Sequence, residues 1–146
     1  LKLRNFSINC FYSVDTLEHI PQDSLKDILK EAKRILRPDG ISLHFIDYSD
    51  HYARGNKDPA ARFNFLTFDE DQWMPFNSKL QYVNRLRHSQ YLELFEQAGL
   101  KSVDIDAVVE APSDEILIKL SPQFNSFELD DLFTVRAKII SISDTI

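Results

Sequence analysis

The sequence predicts an α/β protein built on an open, largely parallel sheet, and three stretches predict it. Asn9 to Asp47 reads as strand, turn, helix, break and strand, the order of a βαβ crossover. His88 to Val109 reads as a helix stopped at a glycine and followed at once by an alternating strand. Phe133 to Ile142 closes the chain as a β-rich run.

In the first unit, Cys10 to Ser13 is the strand, Val14 to Pro21 a polar turn, and Ser24 to Leu36 the helix. Leu25, Ile28, Leu29, Ala32, Ile35 and Leu36 recur at helical spacing, while Lys26, Asp27, Lys30, Glu31, Lys33 and Arg34 take the other face. Asp23 or Ser24 is placed to cap the first turn, and Lys33, Arg34 and Arg37 sit at the negative end of the helix dipole. Arg37-Pro38-Asp39-Gly40 is expected to stop the helix and reverse the chain into a second strand, Ile41 to Asp47.

The rest is less regular. Leu1 to Asn9 is a lead-in of mixed polarity. Residues 48–87 form an insert too long for a simple loop, and its Phe63, Phe65, Leu66, Phe68, Trp73, Met74 and Phe76 predict a lid that packs down. Thr67 with Glu70 fits a capping box for a short helix from Phe68 to Trp73, and Ser78 to Leu86 is helix or extended chain. Ser89 is the expected cap of the helix His88 to Ala98, ended by Gly99. In the strand Lys101 to Val109, Val103, Ile105 and Ala107 alternate with Ser102, Asp104 and Asp106, which suits the outer part of a sheet. Short helices are expected from Ser113 to Leu120 and from Glu128 to Leu132.

At 146 residues, 43% of them hydrophobic, the chain holds one domain with a core of its own. A net charge of -6 argues against nonspecific binding to nucleic acid or to an anionic membrane, and no apolar run approaches a membrane span. The single Cys10 excludes a disulfide framework and points to a cytoplasmic setting. The first residue is Leu1 and the three glycines, Gly40, Gly55 and Gly99, are scattered, so the expectation is a partial domain without a glycine-rich cofactor turn.

The run SVDTLEHIPQDSLKDILKEAKRILRPDGISLHFID resembles the second half of a class I S-adenosylmethionine-dependent methyltransferase: the end of the fourth strand with its LEH turn, the next helix, the reversal and the fifth strand. YVNRLRHSQYLELFEQAGL is similar in style to the same family. It departs where Asn9 and Asp39-Gly40 stand, positions at which family members often carry Asp and a pair of glycines. The resemblance implies the C-terminal part of a Rossmann-like sheet of order 3-2-1-4-5-7-6, with parallel strands, an antiparallel final strand and helices on both faces. It implies methyl transfer to a small acceptor by the complete protein. The 146 residues alone are expected to be inactive and to bind S-adenosylmethionine only with the N-terminal half. By position, Ser13 and Val14 lie beside the cofactor's methionine end and His19 near the pocket mouth. A cofactor-less scaffold or protein-interaction domain is the rival reading.

Other candidates come from the residues themselves. His51 and Tyr52 lie just past the fifth-strand end, and Asn84 and Arg85, with Arg87, precede the second clear helix; both sets are candidates for a substrate pocket, Arg as a carboxylate or phosphate clamp. Their plainer reading is a hydrated loop with Asp50 as a turn cap, and loop ties through backbone hydrogen bonds. His44, Asp47, Asp50 and His51 carry metal-ligand chemistry, but His44 and Asp47 point to opposite faces of a strand, so no metal site is expected and a metal-dependent hydrolase is the weakest alternative. The uncovered edge of the Cys10 to Ser13 strand is expected to pair two copies into a homodimer, unless Leu1 to Phe6 folds back over it.

Overall fold

A computed structural model describes residues 3–78 and 80–143. The elements are β1 (Ile8–Val14), α1 (Gln22–Ile35), β2 (Leu36–Asp47), α2 (Glu70–Trp73), α3 (His88–Gln97), β3 (Leu100–Val109), α4 (Asp114–Ile118), α5 (Leu129–Leu132) and β4 (Thr134–Ser143). Single 3-10 stretches lie at Leu17–His19, His51–Ala53, Pro59–Thr67 and Pro122–Phe124. One sheet runs in the order β1-β2-β4-β3. β1 and β2 are parallel, and β4 is antiparallel to both β2 and β3, so the last strand alone runs against the other three.

The periodic face of α1 does what its spacing requires. Leu25, Leu29, Ala32 and Ile35 are buried, and the first three join Tyr91, Leu94 and Phe95 of α3 over Ile46, Ala137 and Ile139 of the sheet. Neither Asp23 nor Ser24 caps the helix. Pro21 takes the N-cap with extended backbone, and its carbonyl accepts from Leu25, while Asp23 pairs instead with Lys26 at the surface.

Arg37 to Gly40 is not a reversal. Ile8 pairs with Leu36 and Cys10 with Ile41, so β1 advances two residues while β2 advances five, and the extra residues bulge out within a continuing strand. Gly40 is needed there for close approach: a Cβ would lie 3.0 Å from Leu36 Cδ2 and 3.1 Å from the carbonyl of Asn9. Gly99 is the different case, a left-handed residue (φ 76°) just past α3.

Both long helices share the core on one face of the sheet. On the other face Ile41 stands opposite Ile142 and Leu43 opposite Ile140, and none of these four, nor Phe45, joins either core cluster among the described residues. The two long helices, α1 and α3, pack on the Ser42, His44, Ile46 side of β2.

The insert carries a second core. Phe63, Phe65, Leu66, Trp73 and Val83 bury with Ile116, Phe124, Leu132, Phe133 and Val135. The capping box falls two residues later than Thr67 predicts: Asp69 accepts from the Gln72 amide and Gln72 from the Asp69 amide. Thr67 bonds back to the carbonyl of Asn64. At α3 the cap is Arg87, whose amide donates to Gln90, and Ser89 instead donates through amide and hydroxyl to the Asp131 carboxylate.

Candidate functional site

Because β1 and β2 are parallel, Val14 and Asp47 end at the same edge of the sheet, where ligands of open α/β folds bind. After β1 the chain turns sharply through Asp15, which is left-handed (φ 45°) and donates its amide to the Phe45 carbonyl. Thr16 ties back to the Val14 carbonyl, and a 3-10 turn then drops Leu17 into the core, buries Glu18 beside it and leaves His19 exposed. After β2, Asp50 accepts from the Tyr52 amide and its own amide donates to Arg62, which fixes the turn holding His51. The two turns meet: the rings of His19 and His51 lie 4.9 Å apart.

The candidate residues fall into three places. Ser13 and Val14 end β1, the Ser13 hydroxyl lying 2.7 Å from His44 Nδ1 and Val14 remaining exposed. His19 and His51 face each other at the sheet edge. Tyr52 turns away from His51 toward the insert, where it donates to the Phe76 carbonyl and sits edge-on to Trp73 and Phe76. Asn84 donates to the carbonyls of Leu17 and Ile20 and to the Tyr91 hydroxyl, and its amide donates to the Glu18 carbonyl, so it holds the LEH turn from behind. Arg85 is buried under the insert, donating to the carbonyls of Phe65 and Phe68 and to Glu70, with its guanidinium 5.2 Å from the Trp73 ring. Asn84 and Arg85 line a groove with Glu70, Gln123 and Phe127, apart from the cleft of Asp47, Asp50, Arg54, Arg62 and Arg136.

The electrostatics single out a residue that the sequence reading left in a polar turn. Glu18 is 2% exposed, and neither carboxylate oxygen has a hydrogen-bond partner among the described residues. Burial pushes its carboxyl up to about 7; its own backbone opposes this, and Asp15 and Asp47 add to the rise. Burial works against the charge of Asp47 too, yet His51 and Ser49 outweigh it and hold that carboxyl below the usual range. Nothing in the sequence sets Glu18 apart from Asp15 or His19; only the 3-10 turn, which buries Leu17 and Glu18 in succession and leaves His19 out, distinguishes it.

No protein-family model and no curated protein matches the sequence. Solved structures do match the fold. A methyltransferase of Haloferax volcanii, described as putative and solved in complex with the Trm112 methyltransferase activator, is 18% identical with a TM-score of 0.56, covering 100% of this chain and 58% of its own. A Bacillus halodurans protein, also described as a putative methyltransferase, is 12% identical with a TM-score of 0.58, covering 99% and 68%. A phosphoethanolamine N-methyltransferase of Haemonchus contortus in complex with S-adenosyl-L-methionine is 16% identical with a TM-score of 0.55, covering 99% and 35%. The chain has the fold of the C-terminal part of a class I methyltransferase.

In that fold β1, β2, β4 and β3 take the 4-5-7-6 run of the expected strand order, the reversed strand being the seventh. The chain spans 58% of the Haloferax volcanii methyltransferase's length. The edge carrying Val14, His19 and His51 is the carboxyl edge of the fourth and fifth strands of such a sheet.

Proposed function

We propose that the complete protein transfers a methyl group from S-adenosylmethionine to a small acceptor, and that this chain supplies contacts to the cofactor's methionine end and one wall of the acceptor site. The observation that carries the reading is the β1-β2-β4-β3 sheet with its polar turns at the carboxyl edge. In the reaction an acceptor lone pair forms a bond to the methyl carbon as the carbon–sulfur bond breaks, its electrons staying on sulfur; S-adenosylhomocysteine leaves and the acceptor's proton passes to solvent. The chain's residues contribute position rather than acid or base chemistry. Val14 presents an exposed strand end, the left-handed Asp15 turns the chain away from it, and Asn84 fixes the turn that carries His19.

Two bare surfaces support a larger whole: the outer edge of β1 and the Ile41, Leu43, Ile140, Ile142 face are those that preceding strands and their helices would cover. The chain alone then holds a fraction of a cofactor site, and millimolar affinity for S-adenosylhomocysteine is expected. Amide shift mapping by NMR tests this. Weakly saturating shifts confined to residues 13–19 and 47–52 support the reading. Absence of shifts at those residues favours the scaffold reading, and micromolar binding by the isolated chain overturns the division of the site.

A further inference from the structure

We propose that Glu18, His19 and His51 form a site for a divalent first-row metal ion of zinc type. One donor atom from each lies within 4.8 Å of the others, at the junction of the two turns. Two imidazoles and one carboxylate are a ligand set such an ion takes, with a fourth position left to water or an oxygen ligand. A regular tetrahedron with metal bonds near 2.0–2.1 Å has edges of about 3.4 Å, so the donors close by up to about 1.4 Å, through the exposed His19 side chain together with rotations of Glu18 and His51.

Three independent features point these atoms at a cation. Both Glu18 oxygens are buried without a partner among the described residues, although a buried carboxylate is costly unless it is paired or coordinates a metal. His51 Nε2 is likewise buried without a hydrogen bond; its nearest acid is Asp47, whose Oδ2 is 3.6 Å away. His19 Nδ1 lies 2.7 Å from the Tyr82 carbonyl, which can only accept, so the proton is on Nδ1 and Nε2 keeps its lone pair. A backbone carbonyl holding the far nitrogen is the usual way an imidazole ligand is oriented. Asp15 and Asp47 are the acids whose charge acts on Glu18, and both would favour a dication beside it. By sequence His51 groups with His44, Asp47 and Asp50. His44 is held by Ser13 and Ser42 inside the sheet layer, and the partners of His51 come from the other turn.

The site stands on these atoms whether or not the chain acts on S-adenosylmethionine, and its test reads metal directly. Zinc chloride is titrated into the chelator-stripped chain by calorimetry, with cobalt absorption as a reporter of nitrogen and oxygen ligation. One site is expected. At zinc about 100-fold above its dissociation constant, the melting temperature should rise by about 8 °C. Glu18→Gln keeps the shape and His19→Ala changes an exposed position; both should fold and lose the rise, while Cys10→Ser should retain it. Absence of heat and of a thermal shift in the wild type, or a shift that survives in Glu18→Gln and His19→Ala alike, overturns the site.

Discussion

His44 and Ser13 stand opposite each other across the β1–β2 pair, with Nδ1 of the imidazole 2.7 Å from the serine hydroxyl. Its other nitrogen lies 2.7 Å from the Ser42 hydroxyl, and the ring packs against Phe11 and Phe95. The two hydroxyls satisfy a neutral ring in either tautomer, and no charged group among the described residues acts on it. Burial alone lowers its pKa from 6.5 to about 4.

That shift sets a pH dependence. The unfolded chain takes up the proton first, so the stability present above the unfolded pKa is lost as pH falls from about 6.5 toward 4 and stays lost below it. The difference corresponds to about 3 kcal/mol. Urea unfolding of wild type and His44→Gln at neutral pH and near pH 4 checks it, the wild type being expected to lose about 3 kcal/mol more than the variant. Equal losses would show that the ring is wetter than its place in the sheet implies.

The inward face of α1 gives a second test. Leu29 is 0% exposed and Ile35 6%, so truncating either to Ala should cost about 2 to 5 kcal/mol, against a few tenths for Lys30→Ala at the exposed face. Lys33 is not a fair surface control: its Nζ lies 2.5 Å from the Ser143 hydroxyl and its stem lies over Gly99. Melting curves in which Lys30→Ala and Leu29→Ala fall together would refute the assignment of the face.

What could be read from sequence divides along the range of the interactions. α1 was legible because its face is a local period, and the reversed last strand because the resemblance fixes strand order. Arg37 to Gly40 looked like a reversal because Pro and Gly punctuate both turns and bulges; only the register of β1 against β2 separates the two. Thr67 and Asp69 both offer a cap oxygen, so local sequence does not separate them; in the structure Asp69 takes the Gln72 amide. The pairing of His19 with His51 was out of reach, since it depends on two parallel strands ending at one edge.

Arg87 takes the plainer of the two readings its sequence allows, a tie through backbone hydrogen bonds. Its side chain is fully buried, donating to the carbonyls of Thr134 at 2.8 Å and Tyr48 at 3.3 Å, with its guanidinium 5.2 Å from the Phe65 ring. It joins the insert to the ends of β2 and β4, and burial lowers its pKa to about 10. Removing it strands two buried carbonyls and opens a cavity, so Arg87→Ala should lose about 4 kcal/mol, and Arg87→Lys, which cannot reproduce the planar fork, should recover only part. Denaturant unfolding that shows a loss under about 1 kcal/mol would mean the guanidinium carries no structural role.

The outer edge of β1 yields the last prediction. β1 pairs only with β2 among the described residues, and its exposed side offers Cys10, Tyr12 and Val14 without a proline or a charge to blunt it. The described part of the lead-in does not cover that edge. Phe6 and Ser7 donate their amides to the carbonyls of Arg34 and Ile35, while Arg34 holds the Leu3 carbonyl and Asn5, so this segment lies along the end of α1. Residues 1 and 2 of the lead-in lie outside the described residues. Two copies of the isolated chain are therefore expected to join β1 to β1 about a two-fold axis, and the bare Ile41, Leu43, Ile140, Ile142 face would extend across the joint. Replacing Tyr12 with Lys puts a charge on the pairing strand and should return the chain to monomer without touching the core, because Tyr12 is 70% exposed. Light scattering decides between the two: a wild type that remains at 17.0 kDa and stays soluble at high concentration removes the edge pairing.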